Sequence, residues 1–159
     1  MSGLGNTENV SVVRRLDLLA PKFRVAVEEA LLRAQSLDAV VYETTRSAEL
    51  QALYYARGRT QIPPQDTVTN ARSNLWSWHG YGLAVDVIHA RNQWTMPESW
   101  FAEVAQCFRA AGCRWGGEWK MRDLPHFQWG LCKPSPSDQA RALFQAGGMP
   151  AVWAAVGAV

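Results

Sequence analysis

A chain of 159 residues, 48% hydrophobic and 19% charged, has the size and composition of one globular domain and excludes a disordered or low-complexity protein. Its 16 Lys and Arg against 14 Asp and Glu leave a formal charge of +2, too near neutral for nucleic acid to be the expected partner. No apolar run is long enough for stable membrane association, and Met1–Val10 has neither the basic nor the apolar stretch of a signal peptide, so synthesis in the cytoplasm is expected, with release by another agent if the chain acts elsewhere.

Residues 1–9, rich in Gly, Ser, Asn and Thr, read as a flexible arm ahead of one domain over 10–159. Val10 to Leu19 reads as a short helix stopped by Pro21. Phe23, Val27, Leu31 and Ala34 recur at helical spacing and predict an amphipathic helix from Lys22 to Ser36. Ala39 to Glu43 is a short β-branched strand. Ser47 caps a helix running to about Arg57, with Gly58 as its stop. Thr60 to Ser73 holds Pro63 and Pro64 without periodicity and reads as a long loop, a class that is often functional. Leu83 to Ile88 alternates as a strand. Pro97 opens a helix whose Phe101, Val104, Ala105 and Phe108 share a face, and Gly112 closes it. His126 to Trp129 is a further strand; Asp138 to Ala146 and Ala151 to Val156 are short terminal helices packed against the domain. The mixture is α+β, a small central antiparallel sheet flanked by helices. Cys107, Cys113 and Cys132 form no paired motif and are expected to be reduced, with Cys107 a small buried hydrophobe in its helix.

Two segments carry chemistry: Ser77 to Asp86, and Asp123 to Gln128. A lone carboxylate on an apolar strand is costly unless it is paired or binds a cation, and Asp86 is in that position. Gly80 and Gly82 let the backbone turn tightly enough to return His79 beside it. A third ligand comes from His126 or His89. Strand alternation puts His89 on the opposite face from Asp86, whereas His126 begins a strand able to pair with that of Asp86. His79, Asp86 and His126 are therefore the expected ligands of a catalytic zinc site, whose fourth position stays open. A water activated there needs a base. Asp123, three residues before His126, is favoured over Glu118, which follows Gly116-Gly117 farther away. Arg46, at a strand-to-helix junction, is the candidate to polarise the attacked carbonyl, and Ser77 to donate a hydrogen bond to substrate.

The pattern S-x-H-x-x-G-x-A-x-D (Ser77, His79, Gly82, Ala84, Asp86) followed by D-x-P-H-F-Q (Asp123, Pro125 to Gln128) resembles the zinc peptidases of the D-Ala-D-Ala carboxypeptidase and L-alanyl-D-glutamate endopeptidase superfamily, peptidase M15 type, and among them the phage endolysin branch. Thr45-Arg46-Ser47, the stretch from Gln51 to Thr60, and Trp115-Gly116-Gly117-Glu118-Trp119 in place of W-G-G-D-W add to the likeness. The resemblance implies Zn²⁺ on His79, Asp86 and His126, Asp123 as catalytic base, Arg46 as carbonyl polariser and Ser77 near the substrate. It implies a monomeric metallopeptidase acting on the peptidoglycan stem peptide at the L-alanyl-D-glutamate bond, reaching the cell wall in the periplasm after release. The alternatives are a D-Ala-D-Ala carboxypeptidase, for which Arg72 or Arg91 would contact the free carboxylate, and a non-catalytic zinc-stabilised wall-binding module, for which His89 or Glu118 would close the metal shell.

Overall fold

A computed structural model of the chain describes residues 12–56, 59, 69 and 71–159. The expected arm, the stop at Gly58 and most of the loop from Thr60 to Ser73 lie outside those residues. Four strands, β1 (Ala39–Glu43), β2 (Ala84–His89), β3 (Cys113–Trp115) and β4 (His126–Trp129), form one antiparallel sheet in the order β1-β2-β4-β3. Helices α1 (Pro21–Arg33) and α3 (Glu98–Ala110) cover one face. Helix α2 (Ala48–Ala56) follows β1, and α4 (Asp138–Ala155) ends the fold.

The core lies between the sheet and α1 and α3. From α1 come Phe23, Ala26, Val27 and Ala30, and from α3 come Phe101, Val104, Ala105 and Phe108, all buried. Val85, Val87 and Phe127 meet them from the sheet, and the rings of Phe108 and Phe127 stack at 4.2 Å. Pro21 occupies the first turn of α1, where its missing N–H costs nothing and its φ is already helical.

Several expectations are corrected. Among the described residues of the segment expected to run from Val10 to Leu19, only Leu16–Leu18 makes a helical turn. Val13 is instead tied to the end of β1, its carbonyl accepting from both the backbone N–H (2.7 Å) and the hydroxyl (3.1 Å) of Thr44. A tertiary contact available only in the fold overrides the local helical pattern. Strand β3 was not foreseen, since three residues are too few to register a period. Cys107 is half-buried, whereas Cys113 and Cys132 are the buried cysteines; all three are free, and burial pushes those two thiols up to about 12. The two terminal helices are present as expected and meet at a kink at Gly148, whose φ of 71° is left-handed. The second half braces the sheet and the turn behind it: the Trp153 indole donates to the Tyr81 carbonyl at 2.6 Å, and the Trp129 indole donates to the Val156 carbonyl at 2.7 Å.

Candidate metal centre

Residues Trp78–Tyr81 form a tight helical turn capped by Ser77, whose Oγ accepts from the His79 N–H at 3.3 Å. The turn needs its glycines. A Cβ on Gly80 would sit 1.9 Å from the Asn74 carbonyl oxygen, and Gly82 takes φ 68°. The buried imidazole of His79 thereby faces β2. Asp86 on β2 pairs directly with His126, the first residue of β4. The result is a cluster in which His79 Nε2 lies 3.3 Å, and His126 Nδ1 3.7 Å, from the same oxygen, Asp86 Oδ1. Ligands about 2.05 Å from a tetrahedral ion stand about 3.3 Å apart, so the cluster is close to the spacing a zinc ion requires. Among the described residues these three form the metal-capable group; neither His89 nor Glu118 joins it.

Both rings are oriented from behind. His79 Nδ1 donates to the Thr44 carbonyl at 2.8 Å. His126 Nε2 donates to Gln128 Oε1, also at 2.8 Å, and the Gln128 amide nitrogen donates to the Lys133 carbonyl at 2.7 Å, which fixes which end of the amide accepts. Each histidine thus turns a lone pair toward a carboxylate oxygen. Two acceptors facing each other repel unless a cation lies between them. His79 Nε2 is buried with no hydrogen-bond partner, as an atom reserved for a metal should be. The residues fit a divalent zinc ion.

A family model described as D-alanyl-D-alanine carboxypeptidase, peptidase M15 type, matches residues 70–129, the segment holding all three ligands. Over those residues the chain is similar to the M15 peptidases. It is 33% identical over 106 residues to the peptidoglycan L-alanyl-D-glutamate endopeptidase CwlK of Bacillus subtilis, covering 59% of this chain and 62% of that relative's length. The crystal structure of the L-Ala D-Glu endopeptidase ChiX of Serratia marcescens superposes with a TM-score of 0.55 at 26% identity, covering 80% of this chain and 95% of the other. The α+β architecture, shared with that structure, agrees with the fold expected from the sequence.

Asp123 stands at the rim of the site. Its Oδ2 is 3.9 Å from His126 Nδ1, and 51% of its side chain is exposed. Its backbone is pinned on both sides, the Asp123 N–H donating to the Gly116 carbonyl at 2.9 Å and the His126 N–H to the Asp123 carbonyl at 3.2 Å. Surrounding protein, then the charge of Asp86, raises the Asp123 pKa above the ordinary carboxylate value, the direction a general base requires. Burial works against ionised Asp86 too, but His79 and His126 outweigh it and hold its pKa well below the usual range. Burial likewise opposes charge on His126, yet the neighbouring carboxylates of Asp86 and Asp123 raise its pKa in the metal-free site. The Trp119 ring covers His126 at 4.8 Å.

Arg46 reaches the site from behind Asp86, with Nη2 3.8 Å from Asp86 Oδ2. Its guanidinium is clamped: Nε and Nη2 donate to Glu43 Oε1, Nη1 donates to Gln51 Oε1 at 2.8 Å, and the Tyr54 ring lies 4.7 Å beneath. The Tyr54 hydroxyl donates to the other Glu43 oxygen at 3.1 Å. Ser77 serves as the cap of the His79 turn. His89 faces away, as expected, accepting from the Arg91 and Asn92 N–H groups and packing on Trp100. Glu118 is paired with Arg109 on the surface. Arg72 and Arg141 stack on the Trp76 ring at 3.9 and 3.7 Å, close enough that they must take opposite faces.

Glu43, Thr44, Gln51 and Gln128 are site residues that the sequence reading did not single out for a role. Gln128 had a signal, because alternation puts it on the same strand face as His126. Glu43 and Thr44 had none: a bulge between Val41 and Glu43 turns the end of β1 toward His79.

Proposed function

We propose that this chain is a zinc-dependent peptidoglycan peptidase that hydrolyses the L-alanyl-D-glutamate bond of the stem peptide. The observation that carries the proposal is the convergence of His79 Nε2 and His126 Nδ1 on Asp86 Oδ1 with a second, half-exposed carboxylate, Asp123, beside them. The bond is suggested by the names of the two endopeptidases the chain resembles. Zn²⁺ held by His79, Asp86 and His126 supplies Lewis acidity, which acidifies water and polarises a carbonyl. Asp123 Oδ2 accepts the proton of the attacking water and passes it to the departing amine nitrogen. Arg46 keeps N–H groups beyond those bonded to Glu43 and Gln51, and these are the donors for the oxygen that gains charge. The Ser77 hydroxyl, whose oxygen caps the turn, retains a hydrogen for substrate.

The biological reading is an endolysin of a phage: a monomer made in the cytoplasm and released to the wall for lysis. Among the described residues no helix is long and apolar enough to cross a membrane. A D-Ala-D-Ala carboxypeptidase is favoured by the description of the matching family model. It needs a cation for the substrate carboxylate, and Arg72 is stacked on Trp76.

The test is digestion of purified Gram-negative peptidoglycan by the wild type, the chelated wild type and Asp123→Ala, with released ends identified by mass spectrometry. New L-Ala carboxyl termini that require both metal and Asp123 are expected. Free D-Ala alone would move the assignment to the carboxypeptidase, and no release by zinc-loaded folded protein would refute a peptidase of this wall.

A further inference from the structure

The sheet face bearing Asp86 and His126 is closed at one end and open at the other. At the closed end Ala84 and Gln128 are fully buried. At the open end the face continues through the cross-strand pair Val40 and Ile88. Ala39 and Val41 belong to the core on the far face, whereas Val40, Tyr42 and Ile88 stand outside it. The bulge sets Tyr42 and Glu43 together opposite Asp86. Trp94, from the turn after β2, packs edge-on against Tyr42, with ring centroids 4.7 Å apart at 71°. Trp94 is 43% exposed and Val40 40% exposed, while Ile88 is buried. An apolar shelf with an open indole therefore begins at Val40, across from Ile88, which lies two strand residues, about 6.6 Å, along β2 from Asp86.

We propose that Trp94, Tyr42 and Val40 form a sugar subsite, which takes the apolar face of the amino-sugar ring to which the stem peptide is attached. The inference rests on the endopeptidase reading above and deepens it. In peptidoglycan the L-alanyl-D-glutamate bond is separated from the muramyl ring by the lactyl group and one alanine, about 7 Å when extended. The shelf starts at that distance from the metal ligands, on the same face. A pyranose shows C–H groups on its face and hydroxyls at its rim, and an exposed indole meets the first while leaving the second in water. The shelf is only a few side chains wide, well short of the roughly 800 Å² per partner that a stable protein interface takes.

The experiment compares wild type and Trp94→Leu on two substrates, a disaccharide-tetrapeptide and the same peptide without sugar. Leucine keeps an apolar cover over the shelf and removes the flat ring; thermal unfolding of each variant reports folding, and Tyr42→Leu is a second variant. The expected result is a roughly tenfold loss of kcat/KM on the sugar-bearing substrate, carried by KM, with the sugar-free peptide cut at the wild-type rate. Equal loss on both substrates, or no loss on either, would overturn the subsite. Calorimetric binding of the same two compounds to zinc-loaded Asp123→Ala, with and without Trp94→Leu, decides the matter apart from turnover. If wild type cuts neither compound, the peptidase reading fails, yet sugar-dependent binding lost with Trp94→Leu would still support the subsite. Equal affinity for the two compounds would overturn it.

Discussion

Two carboxylates 37 residues apart in sequence, Asp86 and Asp123, have their pKa values moved in opposite directions because their surroundings differ. Asp86 lies between two imidazoles that keep it ionised; Asp123 sits at the rim with its pKa raised. Replacing Asp123 by Ala should therefore leave zinc stoichiometry at wild-type level, measured by metal analysis of the purified protein, and lower turnover by ~10²-fold or more. Gln128 acts only through His126, so Gln128→Leu should weaken zinc affinity by roughly 10- to 100-fold in a competition titration with a chelator. The His126 shift sets a pH dependence with a definite sign. In the metal-free protein the protonated ring is favoured by folding, a stabilisation fully present below the ordinary imidazole value and lost as pH rises through the raised one. Zinc requires the neutral ring, so its affinity should rise across that same interval. Unfolding and zinc titrations from slightly acid to mildly alkaline pH should thus slope in opposite directions.

Short elements carry the site, and their turns are its tolerances. Gly116 holds the Asp123 backbone, and a Cβ there would lie 2.6 Å from the Asp123 carbonyl oxygen and 3.1 Å from the His126 Cβ. Gly116→Ala should shift Asp123 and His126 together, lowering both zinc affinity and turnover while circular dichroism still reports the fold. Much of this was legible from residue order. The spacing of Phe23 and Val27, the β-branched run from Ala39 to Glu43, and the glycines after His79 each state a local preference that the fold keeps. The alternation of β2 correctly separated Asp86 from His89. What was not legible depends on contacts distant in sequence: Val13 tied to Thr44, three-residue β3 held by its pairing with β4, and Glu43 turned inward by a bulge. Arg46 was found by position, but its clamping by Glu43 and Gln51 is a property of the folded chain.

In the whole molecule the core and the site occupy opposite faces of one thin sheet. Phe108 on α3 stacks on Phe127, the neighbour of His126, and strand alternation sends those two side chains to opposite faces. Phe108→Ala should cost about 3–5 kcal/mol in denaturant unfolding, by lost burial and the cavity left behind. Stability and metal binding should fall together, because the ring supports the strand that carries a ligand. The C-terminal helix adds the same coupling from the other side, through the Trp153 bond to Tyr81 in the ligand turn.

The three ligands belong to a turn and two strands, with His79 and His126 at the ends of the segment they enclose. An ion that joins them would fasten that segment as a clasp and so link metal uptake to folding. At a free zinc level 100 times its dissociation constant the folded state gains about 2.7 kcal/mol. With zinc held there, the lifetime of the protein against proteases would follow the zinc supply of its surroundings. The same polypeptide would be durable in a zinc-replete compartment and short-lived in a starved one, with no change in its rate of synthesis.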